Sequence, residues 1–130
     1  MKGEHSSNPV QHALGEGMKK ALTEMLVLHT LSSREHYIQE IIESIASKSG
    51  GVLQVVFPYA SLYRLMDDGY VEELKKRNAP DGRRRQYYAI TPSGQAHLDA
   101  LLVAYRNIQK GVDSILNEGG CPDDETDKAL

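Results

Sequence analysis

Six cationic side chains flank a five-residue loop in the middle of the chain: Lys75, Lys76 and Arg77 lead into Asn78-Ala79-Pro80-Asp81-Gly82, and Arg83, Arg84 and Arg85 lead out. With Asp81 the one acid among them, residues 75–85 carry +5, whereas the whole chain carries −3, so everything else sums to −8. Charge packed this tightly repels itself. Its natural counterpart is a polyanion whose phosphates it neutralises with release of counterions. A solvated surface turn is the plainer alternative, since most charge runs are no more than that. The short helix just upstream favours the phosphate reading.

The elements that must position these cations are legible around them. Tyr70–Arg77 and Arg83–Ile90 are runs of strand length, and the turn formers between them predict a β-hairpin. Along the second strand Arg84, Gln86, Tyr88 and Ile90 alternate with Arg83, Arg85, Tyr87 and Ala89, with Tyr88 and Ile90 expected to point inward. Upstream, Leu62, Leu65 and Met66 mark the inner face of a helix over Tyr59–Asp68, and Gly69 closes it. Its opposite side presents Tyr59, Ala60, Tyr63, Arg64 and Asp67, with Ser61 at the border. Arg64 suits a bidentate contact to guanine O6/N7 or a phosphate, and the Ser61 and Tyr63 hydroxyls suit phosphate oxygens. Tyr63 also admits a buried ring with its hydroxyl emerging.

The first 17 residues are polar and contain Pro9, Gly15 and Gly17, which predicts a flexible arm. A helix follows from about Met18 to Leu31, with Met18, Leu22, Met25, Leu26 and His29 on one side and Val27, Leu28 and Leu31 widening its apolar surface. Ser32 or Ser33 is the expected N-cap of a second helix over Arg34–Lys48, whose inner face is Ile38, Ile41, Ile42 and Ile45. Val52–Phe57 reads as a short strand or an extended connection. Thr91 and Pro92 open the last helix as cap and first helical residue. From there Leu98, Leu101, Tyr105, Ile108, Val112 and Ile115 repeat at alternating spacings of three and four, a heptad seam over residues 92–116. A helix of that length exceeds what a small core covers, so these six residues are expected to pack on a second copy, with folding back over its own domain as the alternative. The remaining residues, 117–130, form an acidic tail with no apolar periodicity.

At 130 residues, with 40% hydrophobic and 25% charged residues, the chain has the composition of one soluble domain. The polar N-terminus and the shortness of every aliphatic run argue against a signal peptide or membrane span, which points to the cytoplasm. A single cysteine, Cys121, excludes an intramolecular disulfide framework, and the five histidines show no metal-ligand spacing. No phosphate-binding glycine loop and no nucleophile context is present. The sequence therefore calls for no catalytic residue, no metal and no cofactor.

Helix, helix, recognition helix, two-stranded basic wing and long C-terminal dimerisation helix make a mainly α member of the α+β class, a winged helix-turn-helix with its DNA-binding domain over residues 18–91. ASLYRLMDDGYVEE and RRRQYYAITPSGQAHL resemble the S/T-L-Y-x-x-L-x-x-x-G-x-[IV] and R-x-Y-Y-x-[IL]-T-x-x-G motifs of the PadR family of transcriptional regulators. A looser likeness runs through MLVLHTLSSREHYIQEIIESI, where His36 precedes Tyr37 in place of the family's glycine. The resemblance implies a dimeric repressor of double-stranded operator DNA, with the third helix in the major groove and the wing on the backbone or minor groove. Its DNA-binding candidates are Tyr59, Ser61, Tyr63, Arg64, Lys75, Lys76, Arg77, Arg83, Arg84 and Arg85. It also implies a small-molecule effector pocket between the first and last helices, for which Met18, Met25, His29 and Tyr105 are the candidates, although Met and Tyr at helical spacing more often fill a core. A protein-interaction module without DNA binding is the rival reading; it gives no reason for the arginine triplet.

Overall fold

Val27, Leu28 and Leu31 are shielded almost completely from solvent, and the helix that carries them, α1 (Pro9–Ser33), forms the spine of the fold. The computed structural model describes residues 9–54 and 59–118. After α1 come β1 (His36–Tyr37), α2 (Ile38–Lys48), α3 (Tyr59–Asp67), β2 (Val71–Glu73), β3 (Arg77–Asn78), β4 (Arg84–Arg85), β5 (Tyr87–Ile90) and α4 (Pro92–Leu116). This is the expected winged helix-turn-helix order with one strand added.

Two expectations need correction. Residues 9–17, read as a flexible arm, are the first turns of α1. Gly15 and Gly17 each cost a helix about 1 kcal/mol, but once the buried segment has nucleated α1 each further residue adds a hydrogen bond. Pro9 also suits a first helical position. The second correction concerns residues 34–37, expected to begin the second helix. The chain is extended there, and β1 pairs antiparallel with β5, His36 opposite Tyr88 and Tyr37 opposite Tyr87. Ser32 and Ser33 do not cap α2; their hydroxyls donate to the carbonyls of His29 and Thr30 and so finish α1. Tyr37 holds the cap position, its N–H donating to Glu40 Oε1 at 3.3 Å.

Within the first of the two compact units, residues 1–98, α1 packs against α2, α3 and β5. Ile41, Ile45, Leu62, Leu65, Val71 and Leu98 complete the core. β5 is the middle strand of a three-stranded sheet ordered β1-β5-β2, and β3 pairs with β4 in a separate ladder. Residues 52–54 form no strand, and the rest of the apolar run expected there lies outside the described residues. The second unit, residues 99–130, contains the remainder of α4, on which Val103, Ile108, Val112, Ile115 and Leu116 are exposed. The acidic tail beyond Glu118, with Cys121, is outside the described residues.

Candidate nucleic-acid interface

Helix α3 is held from behind by Leu62 and Leu65, both fully buried. Its C-terminus closes with the Tyr70 N–H donating to the Leu65 carbonyl (2.9 Å) and the Gly69 N–H to that of Met66 (3.0 Å). This paired closure needs a left-handed residue, and Gly69 supplies it at φ +82°. The opposite face is open: Tyr59 and Tyr63 are exposed, with ring centres 6.4 Å apart. At 53% exposure Tyr63 resolves the earlier ambiguity in favour of an outward ring. Ser61 is half-buried at the border. Arg64 also faces out, but it is not free: its Nη1 lies 2.5 Å from Glu24 Oε2 on α1.

The wing is not one continuous ladder. β2 and β5 pair Val71 with Ile90 through Glu73 with Tyr88, and the Leu74 N–H extends that register to the Tyr87 carbonyl at 2.9 Å. The tip ladder pairs Arg77 with Arg85 and Asn78 with Arg84. Between the two, Lys75 and Lys76 stand opposite Gln86 alone, which is a β-bulge. The Gln86 side-chain amide donates to the carbonyls of Leu74 and Tyr87 and so occupies acceptors the interrupted ladder leaves over. Simple alternation would place Arg77 on the same side as Glu73. The extra residue turns it to the side of Arg85 and Tyr87.

That side is a closed cluster. Tyr37 meets Tyr87 edge-on with centroids 5.4 Å apart, and the guanidinium carbons of Arg77 and Arg85 lie 3.6 Å and 4.8 Å from the centres of the Tyr87 and Tyr37 rings. Tyr87 is therefore buried along with Tyr88, although only Tyr88 was expected inward. Arg77 Nη1 also pairs with Glu35 Oε1 at 2.8 Å, and Arg85 Nη2 with Asp81 Oδ2 at 2.7 Å. The bond from Arg85 and the Arg83 backbone N–H together hold the Asp81 carboxyl below its ordinary range. Burial, with Glu73, Tyr63 and Tyr59 nearby, pushes the Tyr88 phenol up.

The cations predicted to meet DNA thus fall into two groups. Arg64, Arg77 and Arg85 are each bound to a carboxylate of the same chain. Lys75, Lys76, Arg83 and Arg84 are exposed and form no ion pair among the described residues. The bulge displays both lysines of the second group, and the loop edge both arginines. Of the carboxylates, Asp81 at four residues from Arg85 was visible as a helix-like spacing only, while Glu24 and Glu35 had no sequence signal.

The hairpin is joined to α4 by backbone contacts. The Thr91 hydroxyl donates to the Gly69 carbonyl (2.7 Å) and accepts the Gly94 N–H (3.0 Å), while the Thr91 N–H donates to the Tyr70 carbonyl (3.0 Å). Tyr70 stacks on His97 at 4.2 Å, and Gly94 is packed so closely that a Cβ there would lie 2.1 Å from the Tyr70 carbonyl oxygen. Of the seam residues, Leu98 is buried in the first unit, Leu101 and Tyr105 are half-buried, and Ile108, Val112 and Ile115 are exposed. Of the effector candidates in the first unit, Met25 is core, whereas Met18 and His29 are exposed; Tyr105 belongs to the second unit. Among the described residues there is no group of side chains able to hold a metal ion, and no helix long and apolar enough to cross a membrane.

A family model described as transcriptional regulator PadR-like matches residues 27–100. Solved structures share the fold. A PadR-like transcriptional regulator from Bacillus cereus strain ATCC 14579 is 22% identical with a TM-score of 0.66, covering 77% of this chain and 96% of its own. A PadR family transcriptional regulator from Eggerthella lenta DSM 2243 is 19% identical with a TM-score of 0.71, covering 88% and 98%. A protein of Streptococcus mutans UA159 is 27% identical with a TM-score of 0.65, covering 75% and 88%. No curated protein matches the sequence.

Proposed function

Because the chain belongs to the PadR-like family of transcriptional regulators, and is on that footing a DNA-binding regulator, we propose that it acts as a homodimeric repressor. Each protomer sets α3 in the major groove and grips the flanking phosphates with its wing. The observation that carries this reading is the set of four exposed cations, Lys75, Lys76, Arg83 and Arg84, that form no ion pair among the described residues. Free cations are what phosphate neutralisation requires, whereas Tyr59, Ser61, Tyr63 and Arg64 offer the hydroxyl and guanidinium groups that meet bases and backbone in a groove. Dimerisation through the exposed Ile108, Val112 and Ile115 of α4 gives the operator two half-sites related by symmetry. Release by a small-molecule effector, as the family resemblance implies, completes the regulatory cycle.

The test is a gel shift against pooled genomic fragments at about 50 to 200 mM salt, wild type beside the Lys75/Lys76/Arg83/Arg84→Ala variant. Wild type binds with a steep salt dependence, and the variant loses about 0.9 of logarithmic slope for each phosphate contact removed. Binding that ignores both salt and the four substitutions would exclude the wing as the phosphate grip.

A further inference from the structure

Arg64 is the one guanidinium on the open face of α3, and it is neutralised in place by a carboxylate from another helix, 40 residues away in sequence. We propose that Glu24 is a specificity-determining residue that makes Arg64 a reader of base edges instead of a phosphate anchor. The inference deepens the DNA-binding reading above and rests on it.

Arg64 is 52% exposed although Glu24 is only 23%, and an ion pair whose cation stands this open to water adds about 1 kcal/mol or less, so folding gives little reason for it. Its position gives a better one. A carboxylate on a surface that approaches DNA repels phosphates, and every unpaired cation of the wing lies elsewhere. Glu24 therefore weakens generic attraction at the one point where α3 could supply it.

Base recognition is affected differently. Guanine O6 and N7 are neutral acceptors that need directed N–H groups more than net charge. A guanidinium has five N–H donors in a rigid fork, and the contact to Glu24 is made through Nη1. The remaining edge can still donate to a base while the carboxylate fixes its direction. The neutral pair thus keeps its value at a base edge and loses it at a phosphate. The wing has the complementary arrangement: Lys75, Lys76, Arg83 and Arg84 form no ion pair among the described residues, and cations of that kind suit backbone phosphates without regard to sequence.

The experiment compares wild type, E24Q, R64M and the E24Q/R64M double variant on two probes: a random-sequence duplex, and the duplex that wild type enriches most strongly from a random pool. E24Q is expected to bind the random duplex several-fold more tightly, with a salt slope steeper by about 0.9 per protomer, because Arg64 becomes a free cation. The ratio of selected to random affinity falls, E24D restores most of it, and in the R64M background E24Q leaves the ratio unchanged. Thermal melts show whether any variant has lost its fold. Equal tightening on both probes, with the ratio preserved, overturns the proposal and leaves Glu24 as a general repulsive charge. Parallel weakening on both probes also overturns it and makes the pair a structural brace. A folded wild type that enriches no sequence at all instead defeats the DNA-binding reading beneath it.

Discussion

The guanidinium carbon of Arg77 lies 3.6 Å from the centre of the Tyr87 ring, and the bulge at Lys75 and Lys76 is what brings the two to the same side of the wing. A cation over a buried ring contributes about 1 kcal/mol, and Lys cannot reproduce the planar stacking of Arg. Arg77→Lys should therefore lower the thermal midpoint by several degrees while leaving the salt slope of DNA binding close to wild type. Arg84→Ala should do the reverse. Paired melting curves and salt titrations check both, and equal salt effects from the two substitutions would refute the division into braced and free cations.

Gly94 sits where a Cβ would lie 2.1 Å from one backbone atom and 2.9 Å from another, both of Tyr70. The Tyr70 carbonyl cannot swing aside as a flexible side chain would, and Ile90 Cγ1 would stand at 2.8 Å as well, so Gly94→Ala should cost about 1 to 3 kcal/mol. Gly82, at φ +86° but with nothing near its Cβ position, should cost about 1 kcal/mol on the same change through strain alone. Denaturant unfolding of the two variants decides the order.

His36 is buried in β1, with Nδ1 at 2.8 Å from the Arg34 carbonyl oxygen. Burial, assisted by the charges of Arg34 and Lys48, outweighs the bond to the Arg34 carbonyl and the charge of Glu40, both of which favour the protonated ring, and holds its pKa below the ordinary 6.5. The unfolded chain then takes up this proton before the folded one. The stability involved is fully present above the ordinary value and is lost as pH falls through the lowered one. Between about pH 7 and about pH 5 the midpoint of wild type should fall more steeply than that of His36→Phe. Parallel curves would show that His36 carries no part of the acid sensitivity.

Ile108, Val112 and Ile115 lie on one stripe of α4 and are 67%, 47% and 69% exposed in the single chain. Ile108→Asp with Val112→Asp should convert the protein to a folded monomer, read as a halved mass in sedimentation with helicity retained. A wild type that already sediments as a monomer would exclude the dimer, and with it the symmetric operator.

The parts of this fold that could be read in advance are those written in local chemistry. Thr91 with Pro92, Gly69, the Asn78–Gly82 turn and the apolar spacing of α3 each announce themselves within a few residues, and the wing cations are conspicuous by charge. What could not be read depends on partners far apart in sequence. Residues 34–37 have enough helical pattern to be taken for the start of α2, and only the edge of β5 makes His36 and Tyr37 a strand. The pairing of Arg64 with Glu24 and of Arg77 with Glu35 had no local sign either. In consequence nothing in the sequence distinguished Arg64, Arg77 and Arg85, which the fold engages with carboxylates, from Lys75, Lys76, Arg83 and Arg84, which form no ion pair among the described residues.

The joint between Tyr70 and the first turn of α4 works as a mechanical coupling. Gly69 ends the recognition helix, its carbonyl and that of Tyr70 are both held by Thr91, Gly94 presses on the same peptide, and His97 lies against the Tyr70 ring. With no slack at this joint, any torque that turns the first turn of α4 turns the C-terminal end of α3 with it. The root of the hairpin is thus a clamp that ties the C-terminal end of α3 to residues 92–98, the opening turns of α4, as one piece.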